Sequence, residues 1–406
     1  MIPLADAQAE VIDACPPKPA RMVEVGEAAG LVLSEVVTAA DDVPPFPNTA
    51  MDGYAVRAAD VATASAAQPS RLTVIGTLAA GQAPHAPVGS GEALRIMTGA
   101  PFPEGADAVA IVETTRSEGD QVWVSAPATA GVHVRRAGED LVAGQEVFAA
   151  GTVLGPGHVG VLCSVGREKV AVVPAPVVGV LSTGDELVEG GGALLPGQIR
   201  DSNRATLMAL LRRDGFRAVD LGIARDDDAD IERRLTDAAA RCDAVLTSGG
   251  VSMGDFDLVK VVLDRIGVMH WMQVAIRPAK PFAFGRVGPT PVFGLPGNPV
   301  SSMVSYEVLA RPGLRRLAGR AEADLRRPTV LAIVDDGGWG GAGDGRTTFA
   351  RVEVDLGPDG RYHVRSAGGQ GSHQLYAMAL ANGLAIVEAD VRVAEGDTVP
   401  LLLLGP

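Results

Sequence analysis

The sequence predicts a multidomain α/β protein: a central doubly wound, mostly parallel sheet domain, β-rich N-terminal domains and a small C-terminal β-barrel. Three observations predict it. Strand and helix patterns alternate over residues 173–320, short apolar runs between Gly, Pro and Asp turns fill residues 70–172, and the short period returns after Arg327. A chain of 406 residues exceeds one ordinary core, so roughly two to four domains are expected.

Composition narrows the class. Hydrophobic residues make up 47% and charged residues 21%, a globular balance. The net charge of −14 argues against nucleic acid, since counterion-driven binding needs a basic face. No window reaches the roughly 18 apolar residues of a membrane span. Met1 is followed by Asp6 and Glu10 without a basic, then apolar, leader. Cys15, Cys163 and Cys242 are far apart and offer neither a zinc nor a disulfide spacing, so a reducing cytoplasm is expected.

In chain order, residues 4–14 read as a short helix and Pro16, Pro17 and Pro19 punctuate the next stretch. A second, partly helical segment then leads to Pro44-Pro45-Phe46-Pro47, whose prolines fix an extended backbone. Runs at 71–75, 108–112 and 122–124 read as strands. Residues 177–181 form an apolar strand run, and residues 203–214 carry Leu207, Met208, Leu210 and Leu211 before Gly215, the residue type that favours a left-handed helix end. A strand is expected at 218–223. Ile231, Leu235, Ala238 and Cys242 then recur at helical spacing. Residues 244–247, 257–266 and 292–295 continue the alternation. After Arg327, strand runs at 329–334, 347–354, 362–364, 384–387 and 399–404 suggest the small barrel, with 337–345 as a Gly-rich loop tip. His270 next to Trp271 reads as core.

In an open parallel sheet, ligands bind beyond the carboxyl ends of the strands. Three loops occupy such positions: Leu181-Ser182-Thr183-Gly184-Asp185-Glu186, the stretch from Thr247 to Asp257 with Ser248-Gly249-Gly250-Val251-Ser252 at its start, and Gly294-Leu295-Pro296-Gly297-Asn298-Pro299. Consecutive glycines let backbone amides turn inward as a phosphate nest, with Ser248 and Ser252 adding hydroxyls. The plain alternative is a tight turn. Asn298 and Pro299 read as the cap and first residue of a helix whose free amides face an anion.

Glu186, Asp226, Asp255 and Asp257 gather in the same loops. Carboxylates beside a phosphate nest repel the ligand unless a cation intervenes, and Mg²⁺ held by one or two carboxylates plus phosphate is the usual solution. Asp227 and Asp228 read instead as helix-start acids. Arg277-Pro278-Ala279-Lys280 brings cations near this face, or is a solvated loop. Arg135-Arg136 beside Glu139-Asp140 is a second basic pair, or a surface ion network. Asp52-Gly53 after the rigid proline segment reads as a presented carboxylate rather than a bare hairpin turn, and Thr98 in Ile96-Met97-Thr98-Gly99-Ala100 offers a hydroxyl. No histidine pair has metal-ligand spacing, and no G-x-S-x-G elbow supports a serine hydrolase.

With these motifs in order, the chain resembles the molybdopterin molybdenumtransferase family, MoeA and the E domain of gephyrin, over nearly its whole length. The matching stretches include residues 44–56, 96–100, 135–140, 182–187, Asp201-Ser202-Asn203, 248–257, 280–285 and 294–302. The resemblance implies four domains: an elongated one from 1–45 and 132–172, a β-rich one at 46–131, the central molybdopterin-binding domain at 173–320 and a barrel at 321–406. It implies a homodimer that takes adenylylated molybdopterin and molybdate, uses Mg²⁺ and releases AMP. Exchange with molybdopterin adenylyltransferase and molybdoenzyme chaperones is implied as well.

By motif, Asp52, Thr98 and Asp140 would come from the partner subunit, while Glu186, Asp226 and Asp257 line the central pocket and Glu186 and Asp257 share the metal. Thr183, Gly184, Ser248, Gly249, Gly250, Ser252, Pro296, Gly297, Asn298 and Pro299 would bind substrate. Arg351 and Ser372 would hold molybdate with Arg277 and Lys280. Family members usually carry glycine at Ala279, and many carry lysine at Arg277.

Three other readings compete. Molybdopterin adenylyltransferase shares the central domain, but its usual loop differs from Val251-Ser252-Met253-Gly254 and it lacks the flanking domains. A gephyrin-like scaffold would need an appended domain and linker. A nucleotide-binding oxidoreductase would need a G-x-G-x-x-G in the first βα unit, which is missing.

Overall fold

A computed structural model describes residues 1–251, 258–341 and 343–405. The chain forms two compact units, one of Met1–Met22, Gly30–Ser34 and Ala171–Pro406, the other of Val23–Ala29 and Glu35–Val170.

The second unit is built on a six-stranded sheet in the order Ala108–Ile111, Gly53–Val56, Glu92–Ile96, Ser70–Leu78, Gln121–Val124, Thr115–Glu118. Tyr54, Val56, Leu72, Val122 and Val124 are buried in its core. Gly53 opens a strand rather than a turn. A Cβ there would lie 2.2 Å from the Ala110 carbonyl oxygen, so close strand approach requires the glycine. Two expectations fail in this region. The segment before Pro44 is mostly short strands with one 3-10 turn at Val25–Glu27, and residues expected to be β contain a helix, Pro156–Ser164.

The first unit holds the central sheet. Its strands are β1 (Val177–Thr183), β2 (Arg217–Ala224), β3 (Ala244–Ser248), β4 (Val268–Gln273), β5 (Pro281–Val287) and β6 (Thr290–Leu295), in the order β2-β1-β3-β6-β5-β4. The pairs β2–β1, β1–β3 and β3–β6 are parallel, and β5 and β4 add an antiparallel edge. Helices α1 (Asn203–Arg213) and α4 (Pro299–Ser305) pack on one face, where Leu207, Leu211, Val300 and Val304 meet Val178, Val180 and Leu246. Helices α2 (Asp228–Arg241) and α3 (Leu258–Ile266) cover the other, where Ile231, Leu235, Val259 and Val262 meet Leu181 and Val245. Alternate strand residues thus feed opposite faces, as a doubly wound sheet requires. Each fully buried aliphatic side chain contributes about 1.5–3 kcal/mol.

Local signals place the helix ends. Gly215 adopts φ +83° just beyond α1, and the Asp227 side chain accepts the Asp230 N–H at 2.8 Å to cap α2. His270 is a correction. Its side chain lies 60% exposed on the edge strand β4 and bonds Glu10; it shares a sheet face with Met272, but the edge leaves that face open at His270 while Met272, two residues on, enters the core.

In the C-terminal region Thr347–Leu356 pairs with both Tyr362–Ser366 and Gly383–Val387, and Thr329–Val334 and Thr398–Leu403 complete the ring, closing a five-stranded barrel. Ile276–Arg277 adds a parallel pairing to Thr347 and Thr348. A short helix, Leu375–Leu380, was not expected from the sequence. Where barrel and sheet domain meet, Glu307, 1% exposed, accepts from Arg213 at 2.6 Å and Arg327 at 2.7 Å, while Arg327 also reaches the Leu403 carbonyl. Among the described residues no helix is long and apolar enough to cross a membrane.

Candidate functional site

The chain leaves β1 and β3 toward opposite sides of the sheet, and the crevice between their carboxyl ends is where such folds bind ligands. A cavity of about 490 Å³ occupies it, lined by Thr183, Glu186 and Leu187 after β1, Ser248 and Gly249 after β3, Gly297, Asn298 and Pro299 after β6, and residues from Ile199 to Asn203. Three loops chosen from composition therefore converge. Pro296 is buried in the third of them, and Ser252 and Asp257 lie outside the described residues.

The glycines have different duties. Gly184 has φ +139°, and a Cβ there would sit 2.3 Å from Glu186 Oε2, so the glycine makes room for that carboxylate at the cavity edge. Gly249 and Gly250 have φ of +96° and +73°, and a Cβ at Gly250 would collide with Val259 at 2.4 Å. The expected nest is smaller than the sequence suggests. The Gly249 N–H is spent on the Leu295 carbonyl at 3.0 Å, tying the β3 loop to the end of β6. Asn298 holds the N-cap position of α4, but its side chain makes no capping bond and instead lines the cavity.

Asp226 lies one loop away. Its N–H donates to Asp185 Oδ1 at 3.2 Å, and its own carboxylate accepts the Asp185 N–H at 3.4 Å.

Sequence reasoning gave no role to the residues that join these loops. Asn203 Nδ2 donates to Ser248 Oγ at 2.8 Å and to the Gly297 carbonyl at 2.7 Å. Asp201, with its side chain 2% exposed, accepts from Ser182 Oγ at 3.0 Å and from Arg204 Nε at 2.9 Å. The sequence signal was that Asp201-Ser202-Asn203 is one of the stretches that carry the resemblance and that a helix is expected from residue 203.

A second polar centre lies where the barrel meets α4. Arg351 is 0% exposed and has no carboxylate partner among the described residues. Its Nη2 donates to the carbonyls of Gly369 at 2.7 Å and Gly371 at 3.2 Å, while Nε and Nη1 have no partner among them. Burial pulls its pKa below the ordinary guanidinium value. The neighbouring Ser372 offers its carbonyl to the Val300 N–H of α4 at 3.1 Å.

Of the basic segment, Arg277 is not a free cation: it donates to Asp344 at 2.8 Å. Lys280 is half-buried, with no ion pair among the described residues. Ala279 sits at φ +80°, a left-handed backbone that costs a non-glycine residue about 1–2 kcal/mol.

In the other unit, Asp52 Oδ1 accepts both the N–H and the hydroxyl of Thr98, each at 2.7 Å. These two donors hold the exposed carboxyl below its ordinary pKa, the backbone bond most strongly. Any stability from the pair is therefore present above the unfolded carboxyl pKa and lost as pH falls through the folded one. Thr98→Val removes one donor, and an NMR titration is expected to show the Asp52 pKa rising part of the way to its ordinary value. An unmoved pKa would contradict the assignment of the hydroxyl. Asp140 is exposed, and its N–H bonds the Val43 carbonyl at 2.9 Å.

This geometry can be set beside known proteins. Residues 2–166 match the MoeA N-terminal region (domain I and II), 179–316 a probable molybdopterin binding domain, and 342–404 the MoeA C-terminal region (domain IV). The molybdopterin molybdenumtransferase of Haemophilus influenzae is 36% identical over 404 residues, covering 99% of this chain and 98% of that one. The chain belongs to the MoeA family of molybdopterin molybdenumtransferases. Molybdopterin molybdenumtransferase 2 of Mycobacterium tuberculosis is 39% identical over 395 residues, 96% of this chain and 95% of that one. The crystal structure of the molybdopterin biosynthesis MoeA protein from Pyrococcus horikosii superimposes with a TM-score of 0.79 at 32% identity and covers 100% of both chains. The cavity lies within the molybdopterin-binding match, and Arg351 and Ser372 lie within the C-terminal one.

Proposed function

We propose that this MoeA-family chain inserts molybdenum from molybdate into adenylylated molybdopterin, with release of AMP. In this reaction the two dithiolene sulfurs replace two oxygen ligands of molybdate, which take up protons and leave as water, while one water equivalent is consumed at phosphorus as the anhydride between the pterin phosphate and AMP is cleaved; AMP and one net water leave. The observation that carries the reading is Arg351: a fully buried guanidinium with two nitrogens unbonded to any described residue, in a chain of net charge −14. Desolvating a cation costs several kcal/mol unless a counter-charge offsets it, and a tetrahedral oxyanion presents acceptors that a planar fork can meet. Ser372 and Lys280 are the further groups we assign to molybdate. Arg277, held by Asp344, would serve from the rim.

The cavity beside β1 and β3 suits the phosphates. Ser248, Thr183 and the loops of Gly249, Gly250, Pro296, Gly297, Asn298 and Pro299 would bind and orient them, with Ser252 completing the loop. Among the described residues no three metal-ligating side chains converge. Glu186 nevertheless stands at the cavity edge, and Mg²⁺ in phosphate sites takes only one or two carboxylates besides phosphate and water. Glu186 fits such a site, and we assign Asp257, from its place in the sequence, as the second carboxylate, with Asp226 as a further acid of the same set. Bound there, Mg²⁺ would supply positive charge against the anhydride oxygens. Asp52, Thr98 and Asp140 are proposed to act from a second subunit of a homodimer.

Calorimetric titration of the full-length protein with molybdate tests this reading. Saturable binding that Arg351→Leu abolishes is expected, and equal binding by the variant would overturn it. Gly184→Ala offers a second test, because its methyl group would displace the Glu186 carboxylate. Turnover should fall at least about tenfold, given what one misplaced catalytic group costs, and the melting temperature should fall as well, because φ +139° strains any residue but glycine. Unchanged turnover would contradict the role of Glu186.

A further inference from the structure

We infer that Asn203 is a positioning residue that fixes the hydroxyl proton of Ser248 toward the anion bound in the cavity and locks the Ser248 and Gly297 loops into one wall. The inference rests on the reading of the Ser248 loop as a phosphate site.

The hydrogen-bond chemistry leaves one arrangement. The Gly297 carbonyl can only accept, so the Asn203 atom 2.7 Å from it is the amide nitrogen. That same nitrogen lies 2.8 Å from Ser248 Oγ. An amide nitrogen has no acceptor capacity, so Asn203 donates here too and both of its N–H bonds are used. Ser248 Oγ accepts from Asn203, and its own proton must point elsewhere. Among the described residues Ser248 Oγ has no hydrogen bond but the one from Asn203, and Ser248, otherwise buried, lines the cavity, so the outlet assigned to its proton is the ligand. A hydroxyl free to rotate would present either a proton or a lone pair to a phosphate oxygen. One held in this way presents the proton.

The anchor beneath Asn203 is firm. Asp201 accepts the Arg204 N–H at 3.1 Å as well as Ser182 Oγ and Arg204 Nε, and Arg204 also pairs with Asp220 and Glu189. The first turn of α1 therefore grips the ends of β1, β3 and β6 together, and Asn203 is its contact with two of them.

The test is a double-mutant cycle on the full-length protein, with 5′-AMP as the probe in calorimetric titrations and molybdate titrated separately. Ser248→Ala and Asn203→Ala should each weaken AMP binding about tenfold or more, the loss of one hydrogen bond to a charged group. The double variant should lose no more than the weaker-binding single, because Asn203 acts through Ser248. Molybdate affinity should stay unchanged in all three. Asn203→Leu, nearly the same size, uncharged and unable to donate, should match Asn203→Ala and serves if alanine disturbs folding. Wild-type affinity for AMP in the Asn203 variants, or losses that multiply in the double variant, would overturn the inference while leaving the phosphate site standing. If Ser248→Ala binds AMP like the wild type, the phosphate-site reading and the inference both fall.

Discussion

Arg351→Leu is expected to reduce molybdate-dependent turnover at least about a hundredfold, because removing one partner of a buried charge pair costs roughly 2–5 kcal/mol. The fold should survive. The side chain is 0% exposed without a carboxylate, so the unliganded protein already carries its desolvation cost, and leucine removes that cost. Against this, the Gly369 and Gly371 carbonyls lose their donor, at about 1–3 kcal/mol for a buried unsatisfied group. The two effects oppose each other, and urea denaturation should show a stability change within about 2 kcal/mol. Arg351→Lys keeps a charge but not the planar fork, so it should retain only part of the activity. Added molybdate should raise the melting temperature of the wild type and leave that of Arg351→Leu unchanged. Near-normal turnover in the leucine variant would remove the barrel from the site.

Asp257→Asn and Glu186→Gln are expected to keep folding intact and to lower AMP release roughly a hundred- to a thousandfold, the scale of losing one preorganised electrostatic contact in a transition state. Both substitutions preserve shape and remove charge. Glu186 is exposed at the cavity edge, where its side chain lies over Gly184 and has little part in packing. Asp257 is assigned from its place in the loop that begins at Ser248. Raising Mg²⁺ should partly restore Glu186→Gln if its defect is metal affinity. Single-turnover assays across a Mg²⁺ series check this, and wild-type rates in both variants would contradict the shared site.

The sequence showed much of the fold because the central domain states its geometry locally. Ile231, Leu235 and Ala238 recur at helical spacing and are buried, and Gly215 ends α1 in the left-handed conformation. The helix Pro156–Ser164 was hidden by Gly157 and Gly160, which weaken a helical pattern that tertiary packing of Leu162 restores. His270 was misplaced because an edge strand exposes one face, and sequence does not say which strand is the edge.

At the site, three loops could be found from composition because each follows a strand and is rich in Gly, Ser or Asp. The groups that connect them could not. Asn203 meets Ser248 across 45 residues and Gly297 across 94, and only folding brings them together. Arg351 posed the opposite difficulty. The resemblance named it, but a lone arginine in a strand otherwise reads as a surface charge, and its burial supplies the physical reason to single it out.

The central claim is that two sites in one chain, a phosphate cavity and a buried oxyanion fork, serve a single insertion reaction. The most direct measurement is release of AMP from adenylylated molybdopterin by the full-length protein, with and without molybdate, in the presence of Mg²⁺. AMP release that requires both Mg²⁺ and molybdate, with molybdenum recovered on the pterin, is the predicted result. Adenylylation of free molybdopterin by ATP, or no AMP release under any of these conditions, would contradict it.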